Sequence, residues 1–291
     1  MILVDDIDSA FEYYDLNDKY RTRCYECANI INSNEFFLDS FNKIYNLLNN
    51  ADFSKIKELW KYKEVNELFC NNIDPFITNI IILLSYKTNK ENIAKYKLDL
   101  EQIDINKKRI KECFAKDLEE RNYSSVRISQ MLWAFYFIRV RIIEIGRLQY
   151  ELLETTNDKS IIKIHIPGGN KLDFDKVMDS IELSKEKLKE VFRINNIVYK
   201  CNSWLLSNQL NDIIDKNSNI YKFYSLFHVV DGENCIDDIL NFVYQEKDVN
   251  NYNELKESTN LQKILKKELL EGTSFNIGIG TLKGFDRDEW K

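Results

Sequence analysis

The run Ile161-Ile-Lys-Ile-His-Ile-Pro-Gly-Gly-Asn170 places His165 at the end of an alternating apolar segment and closes it with a Pro-Gly-Gly turn. An imidazole at a strand end beside a tight turn stands where α/β sheets present groups to a ligand. Near neutral pH it is suited to remove a proton from an incoming amine or hydroxyl. A histidine bonded to backbone and ordering the turn would look the same in sequence. Upstream, Arg147, Gln149 and Glu151 alternate with Leu148, Tyr150 and Leu152, the pattern of a half-buried strand with one polar side. If the two strands pair, Glu151 meets Lys163 and His165 across the ladder, as a second base or as the group that orients the imidazole. Arg147 and Gln149 are then substrate contacts on the same face. A charged, solvated sheet surface is the plain alternative.

Other reactive residue types carry less. Cys201-Asn-Ser-Trp204 offers a thiol, but a thiolate needs a nearby base, and only folding would bring His165 to it. A buried structural thiol explains Cys201 without that step, while Ser203 and Trp204 are candidates to line a substrate pocket. Cys24-Tyr-Glu-Cys27 has half of a zinc or redox spacing, with no second Cys or His pair near it and no strand before it, so a structural role is expected and no metal. Gly278-Ile-Gly-Thr-Leu-Lys-Gly284 has no helix after it to receive phosphates. Pro167-Gly-Gly-Asn170 does precede a helix, yet lacks the spaced glycines of dinucleotide or P-loop motifs.

The elements that must position these residues divide the chain in two. All 8 glycines occur from Gly146 onward. The first half is therefore expected never to need a positive φ, and Ile110, Cys113, Phe114 and Leu118 keep helical spacing within it. Residues 1–138 read as an all-helical domain. Beyond them, strands near 142–152 and 161–166 precede a helix capped by Asp173, whose apolar positions Phe174, Val177, Met178, Ile181, Leu188, Val191 and Phe192 form one stripe. Ile197–Leu205 reads as a strand, Ser207–Lys216 as a short helix, and Ile220–Val230 as a further strand. A helix over Thr259–Leu270 ends at Gly272, and Phe275, Ile277 and Ile279 alternate as the last strand. The fold class is α+β: a helical N-terminal domain followed by a mixed α/β domain over 139–291.

Length and charge narrow the function. A chain of 291 residues is long enough for about two domains. A net charge of -6 argues against a nucleic-acid surface, and the one basic run, Lys107–Lys111, is followed by acids. Phe76–Tyr86 is too short to span a membrane, and Met131–Gly146 is interrupted by Arg139 and Arg141. The start shows no export signal, and the 6 cysteines are sparse, so a reducing cytoplasmic home is expected.

Taken in order, several runs resemble a bacterial family of acyltransferases that joins a helical N-terminal domain to a GNAT-like (N-acetyltransferase-type) C-terminal domain. They are Ile145-Gly-Arg-Leu-Gln-Tyr-Glu151, Ile164-His-Ile-Pro167 with the following helix through Asp179-Ser180, Cys201-Asn-Ser-Trp-Leu-Leu206, Ser218-Asn-Ile220 with Phe223, and Thr259-Asn-Leu-Gln262 leading to Gly272 and Ile277-Gly-Ile-Gly280. The resemblance covers most of residues 140–285. It implies transfer of an acyl group from acetyl-CoA or another acyl-CoA to an amine or similar nucleophile, on a small-molecule substrate. In such enzymes splayed strands hold the pantetheine, a loop before a helix binds pyrophosphate, and a base accepts the amine proton. By that likeness His165 or Glu151 is the base, and Gly168 and Gly169 lie in the cofactor loop. The usual pyrophosphate signature, Arg or Gln followed by two residues and Gly-x-Gly or Gly-x-Ala, is absent, and Asp173 and Asp175 put negative charge at the helix start. That absence motivates the rival reading, a non-enzymatic binding module built on a degenerate GNAT-like core.

Overall fold

The computed structural model describes residues 1–51, 74–156, 159–246, 249 and 251–284. Within the helical expectation, residues 52–73 and with them Cys70 lie outside the described residues. The chain forms two compact units, Met1–Ile143 and Glu144–Lys291.

Up to Ile138 the described elements of the first unit are helical: α1 Val4–Tyr14, α2 Arg21–Asn32, α3 Glu35–Asn50, α4 Ile77–Leu84, α5 Tyr86–Tyr96, α6 Leu100–Glu120 and α7 Ile128–Ile138; a strand begins at Ile142 and crosses the boundary between the units. Asn34 caps α3 through the amides of Phe36 and Phe37, and Asp99 caps α6 through Gln102. Every residue of α4 is buried, so the apolar run that mimics a membrane segment is the centre of this core. Among the described residues no helix is long and apolar enough to cross a membrane. Cys24 and Cys27 sit inside α2, both buried, and burial pushes the Cys24 thiol up to about 12.

One expectation fails here. Without glycine, the first unit still uses the left-handed region at Asp15 (φ 51), Lys97 (φ 52), Asn122 (φ 52) and Val140 (φ 49). Each costs about 1–2 kcal/mol relative to right-handed backbone. Asp15 and Lys97 turn the chain out of α1 and α5, where their amides bond back to Phe11 or Glu12 and to Ile93 or Ala94. Closing the helix end in this way satisfies carbonyls that would otherwise be orphaned.

Asp117 is fully buried near the end of α6, and its carboxylate takes the Arg127 guanidinium at 2.8 Å and the Arg127 amide at 2.9 Å. Burial pulls its pKa up, but the hydrogen bonds from the Arg127 side chain and amide outweigh it and hold the carboxyl below its usual value. Because the folded value is depressed, this stabilisation is present above about pH 4 and lost as pH falls through the folded value. Asp117→Asn is expected to destabilise the protein by about 3 kcal/mol at pH 7, and by progressively less on acidification. Urea titrations at pH 7 and pH 3.5 check this; an equal loss at both would contradict it.

The second unit is built on one sheet of six strands in the order β1-β2-β3-β4-β6-β5. The strands are β1 Ile142–Ile145, β2 Leu148–Thr155, β3 Ser160–His165, β4 Ile197–Ser203, β5 Phe227–Asn234 and β6 Asn276–Leu282. β2 and β3, β4 and β6, and β5 and β6 pair antiparallel; β3 and β4 are parallel. The parallel pair requires a crossover, and helix α8, Phe174–Phe192, supplies it, started by Asp173 accepting from the Lys176 amide. Val177, Met178, Ile181, Leu188, Val191 and Phe192 are buried as the stripe predicts. On α8, Ser180 bonds the Tyr150 hydroxyl at 2.9 Å and Ser184 bonds that of Tyr199 at 2.8 Å, so the helix covers the sheet face that carries Tyr150 and Tyr199.

Three strand expectations are corrected. The segment Ile220–Val230 is not one strand: α10, Asn219–Ser225, occupies its first half and β5 begins at Phe227. Ser218 decides this by capping the Tyr221 amide at 3.2 Å, and the single buried side chain, Phe223, suits one helical turn as well as a strand. Nor is the run near 142–152 a single half-buried strand. Gly146 (φ 58) and Arg147 make a turn between β1 and β2, and Gln149 and Glu151 are buried along with Leu148, Tyr150 and Leu152. Between β4 and α9, Asn208–Ile213, the chain makes a short 3-10 turn over Trp204–Leu206, where the strand was expected to run on to Leu205.

Candidate active site

β2 and β3 bring the sequence-selected residues into register. Gln149 pairs with His165 and Glu151 with Lys163, so Glu151 and His165 are diagonal neighbours on one face of the sheet. Glu151 Oε2 lies 2.8 Å from His165 Nε2. The carboxylate side chain is 3% exposed and the imidazole 20% exposed, which leaves the histidine as the member that reaches solvent. In the tautomer that donates Nε2–H to Glu151, the ring lone pair sits on Nδ1. Gln149 donates to the Glu144 carboxylate at 2.7 Å, a second bonded polar pair beside the first.

β3 and β4 then part. Their parallel pairing runs from Ser160 with Ile197 to Lys163 with Lys200 and stops, although β3 continues to His165 and β4 to Ser203. β4 stays paired with β6 up to Ser203 opposite Gly278. Beyond Lys163 and Lys200 the two strands therefore leave a fork with His165 on one prong. A place where two neighbouring strands stop pairing is where an extended ligand can add between them. By alternation along β4, Asn202 shares the face of Lys200 and His165 and is exposed at this fork. In sequence Asn202 stands within the Cys201–Trp204 group with no role of its own, because its place beside His165 depends on a register that no local pattern encodes.

Ser203 and Trp204 are not gathered with His165. Ser203 falls on the opposite face of β4, where its hydroxyl accepts from the Leu205 amide at 3.2 Å and starts the 3-10 turn. Trp204 packs against the cluster of Leu210, Tyr244, Leu265 and Phe275. Cys201 shares that opposite face, is fully buried, and is pushed by burial up to about 12, so it has neither the base nor the thiolate that a cysteine nucleophile requires. Arg147 stands in the β1–β2 turn, and its guanidinium donates to the carbonyls of Lys171 (3.0 Å), Pro167 (2.9 Å) and Asn170 (2.8 Å). A Cβ added at Gly168 or Gly169 would meet nothing within 4 Å, so the outer side of this loop is open.

Among the described residues no group of three or more His, Cys, Asp or Glu is placed to hold a metal ion. The stretch that carries the six strands, the crossover helix and the fork is also the one a family model matches: residues 142–282 fit the GNAT-like C-terminal domain. This unit is a GNAT-like C-terminal domain. No curated protein matches the chain. Solved structures similar over the whole chain include an acyltransferase in complex with decanoyl-CoA, at 15% identity and TM-score 0.63, covering 95% of this chain and 98% of that one. Another is an acyltransferase in complex with CoA and 10C-teicoplanin, at 15% identity and TM-score 0.64, covering 95% and 99%. A third is an acyltransferase in complex with decanoyl-CoA and teicoplanin, at 16% identity and TM-score 0.62, covering 95% and 99%. At this identity the likeness extends the shared fold to the helical N-terminal half but carries no side-chain roles.

Proposed function

We propose that the GNAT-like domain transfers an acyl group from an acyl-CoA thioester to an amine of a small-molecule acceptor. The observation that carries this reading is the fork: parallel strands that stop pairing at Lys163 and Lys200, with a carboxylate-bound histidine on the prong beyond. The pantetheine arm adds between β3 and β4 through backbone hydrogen bonds, and the Gly168-Gly169 loop, which leads into α8, receives the phosphates. His165 takes a proton from the acceptor ammonium or from the amine as it attacks. The nitrogen lone pair forms the new bond to the thioester carbonyl carbon, the carbon–sulfur bond breaks, and CoA leaves as a thiolate that is then protonated. Glu151 stabilises the imidazolium formed in that step and fixes the ring orientation. Gln149 and its partner Glu144 bound the same face on the β2 side.

The donor is tested first, by calorimetry with decanoyl-CoA, because acyltransferases of this fold have been seen with it. Binding in the micromolar range with one site is expected, along with a stabilisation of about 3 kcal/mol at a hundredfold excess over Kd, read as a rise in melting temperature. Release of CoA thiol is then followed over a panel of amines, with teicoplanin included because similar acyltransferases are solved with it. No binding of any acyl-CoA at millimolar concentration would overturn the reading and leave the non-enzymatic module in its place.

A further inference from the structure

The proposed donor loop lacks the sequence signature by which such loops hold pyrophosphate, yet it is braced in an unusual way. Three carbonyls within the five residues 167–171 point at one guanidinium, that of Arg147, which is only 8% exposed. Carbonyl oxygens carry partial negative charge, and three of them facing outward would repel a phosphate. Turned inward onto a buried cation, they are neutralised.

The geometry of the peptide unit extends the argument. All peptide bonds here are trans, and in a trans unit the N–H points opposite to the C=O. With the carbonyls of Pro167, Asn170 and Lys171 aimed at Arg147, the amides of Gly168, Lys171 and Leu172 are aimed away from it. None of these three amides donates to any described residue. Gly169 at φ 90 makes the bend that allows the carbonyls to converge, and both glycines face open space. An ordinary surface turn also leaves amides to water, but it does not need a buried arginine from a different hairpin to collect its carbonyls.

We infer that Arg147 is a positioning residue: held in the β1–β2 turn, it sets the 167–172 loop as a cradle of outward amides for the phosphates of the acyl donor, in place of the missing Arg/Gln-x-x-Gly-x-Gly signature. Arg147 itself does not touch the donor. Its charge sits behind the loop, on the carbonyls of Pro167, Asn170 and Lys171. The inference rests on the acyl-CoA reading, and the experiment separates the two.

Binding of decanoyl-CoA and of phosphate-free S-decanoyl-pantetheine is measured for wild type, Arg147→Lys and Arg147→Ala. Wild type is expected to prefer the CoA form. Arg147→Ala should lose on the order of tenfold or more in CoA affinity while its pantetheine affinity stays within about twofold, with Arg147→Lys in between because the three donors of an ammonium radiate from one nitrogen and lack the planar, spread fork that reaches three separate carbonyls. Hydrogen exchange at residues 168–172 should slow on adding CoA to wild type and much less in the variants. Should Arg147→Ala fail to fold, Arg147→Lys and its exchange data decide alone. Variants that bind CoA as wild type does, or that lose both ligands equally, overturn the role of Arg147 and leave the donor reading standing. Wild type that binds neither ligand overturns both.

Discussion

His165→Ala is expected to lower the rate of decanoyl transfer from decanoyl-CoA to an accepting amine about a thousandfold, with the donor dissociation constant held within about twofold. A base positioned for proton removal contributes to the transition state and not to donor binding, so the loss should fall in kcat and kcat/KM together. Glu151→Gln keeps the shape of the side chain but removes the charge that stabilises the imidazolium, and about a hundredfold loss is expected. The two residues act as one unit through their 2.8 Å contact. The double variant should therefore be no slower than His165→Ala alone, a strong departure from additivity. Stopped assays of CoA thiol release, paired with calorimetric donor affinities, measure all four proteins. A rate for His165→Ala within a fewfold of wild type would remove the histidine from the chemistry, and multiplicative losses in the double variant would break the pair.

The second large effect is on the fork itself. A Cβ built on Gly278 would come within 2.0 Å of the Leu206 carbonyl oxygen and 2.4 Å of its carbon. Those are backbone atoms, so no rotamer change relieves the clash. Gly278 is also held on both sides, by Ser203 of β4 and Asp231 of β5, which prevents β6 from shifting away. Gly278→Ala is expected to cost about 3–5 kcal/mol and to lower the melting temperature of the second unit by roughly 10 °C. Gly284→Ala, which meets nothing within 4 Å, is the matched control and should melt within about 2 °C of wild type. A Gly278→Ala protein as stable as that control would contradict the close approach of the 204–206 turn to β6. The approach matters for function because this turn keeps the end of β4 on β6, and β4 can only leave β3 if β6 holds it.

Much of this was legible in the chain before folding. Hydrophobic period gave the helical first half and α8 with its Asp173 cap, because local spacing and a capping side chain act within a few residues. Period two within 148–152 and within 161–166 put Glu151 and His165 on the polar sides of two strands, and the Pro-Gly-Gly turn placed the histidine at a strand end. Local pattern failed where two structures satisfy it equally. Ile220–Val230 reads as a strand until Ser218 caps its first turn, and Asp15 and Lys97 take left-handed backbone that composition alone would reserve for glycine.

Alternation along β2 and β3 determined that the carboxylate and the imidazole could share a face, and nothing more. Which strands are neighbours is a property of contacts distant in sequence, so only the tertiary structure decided the 2.8 Å pair, the loss of pairing after Lys163 and Lys200, the place of Ser203 and Cys201 on the opposite face of β4, and the packing of Trp204 against the Leu210 and Phe275 cluster. The same holds for Arg147, which in sequence is one more polar residue of an alternating run. Only the hairpin turn swings it out of that run and beneath the 167–171 loop, because three carbonyls converging on one guanidinium form a bond set that no stretch of local sequence can specify.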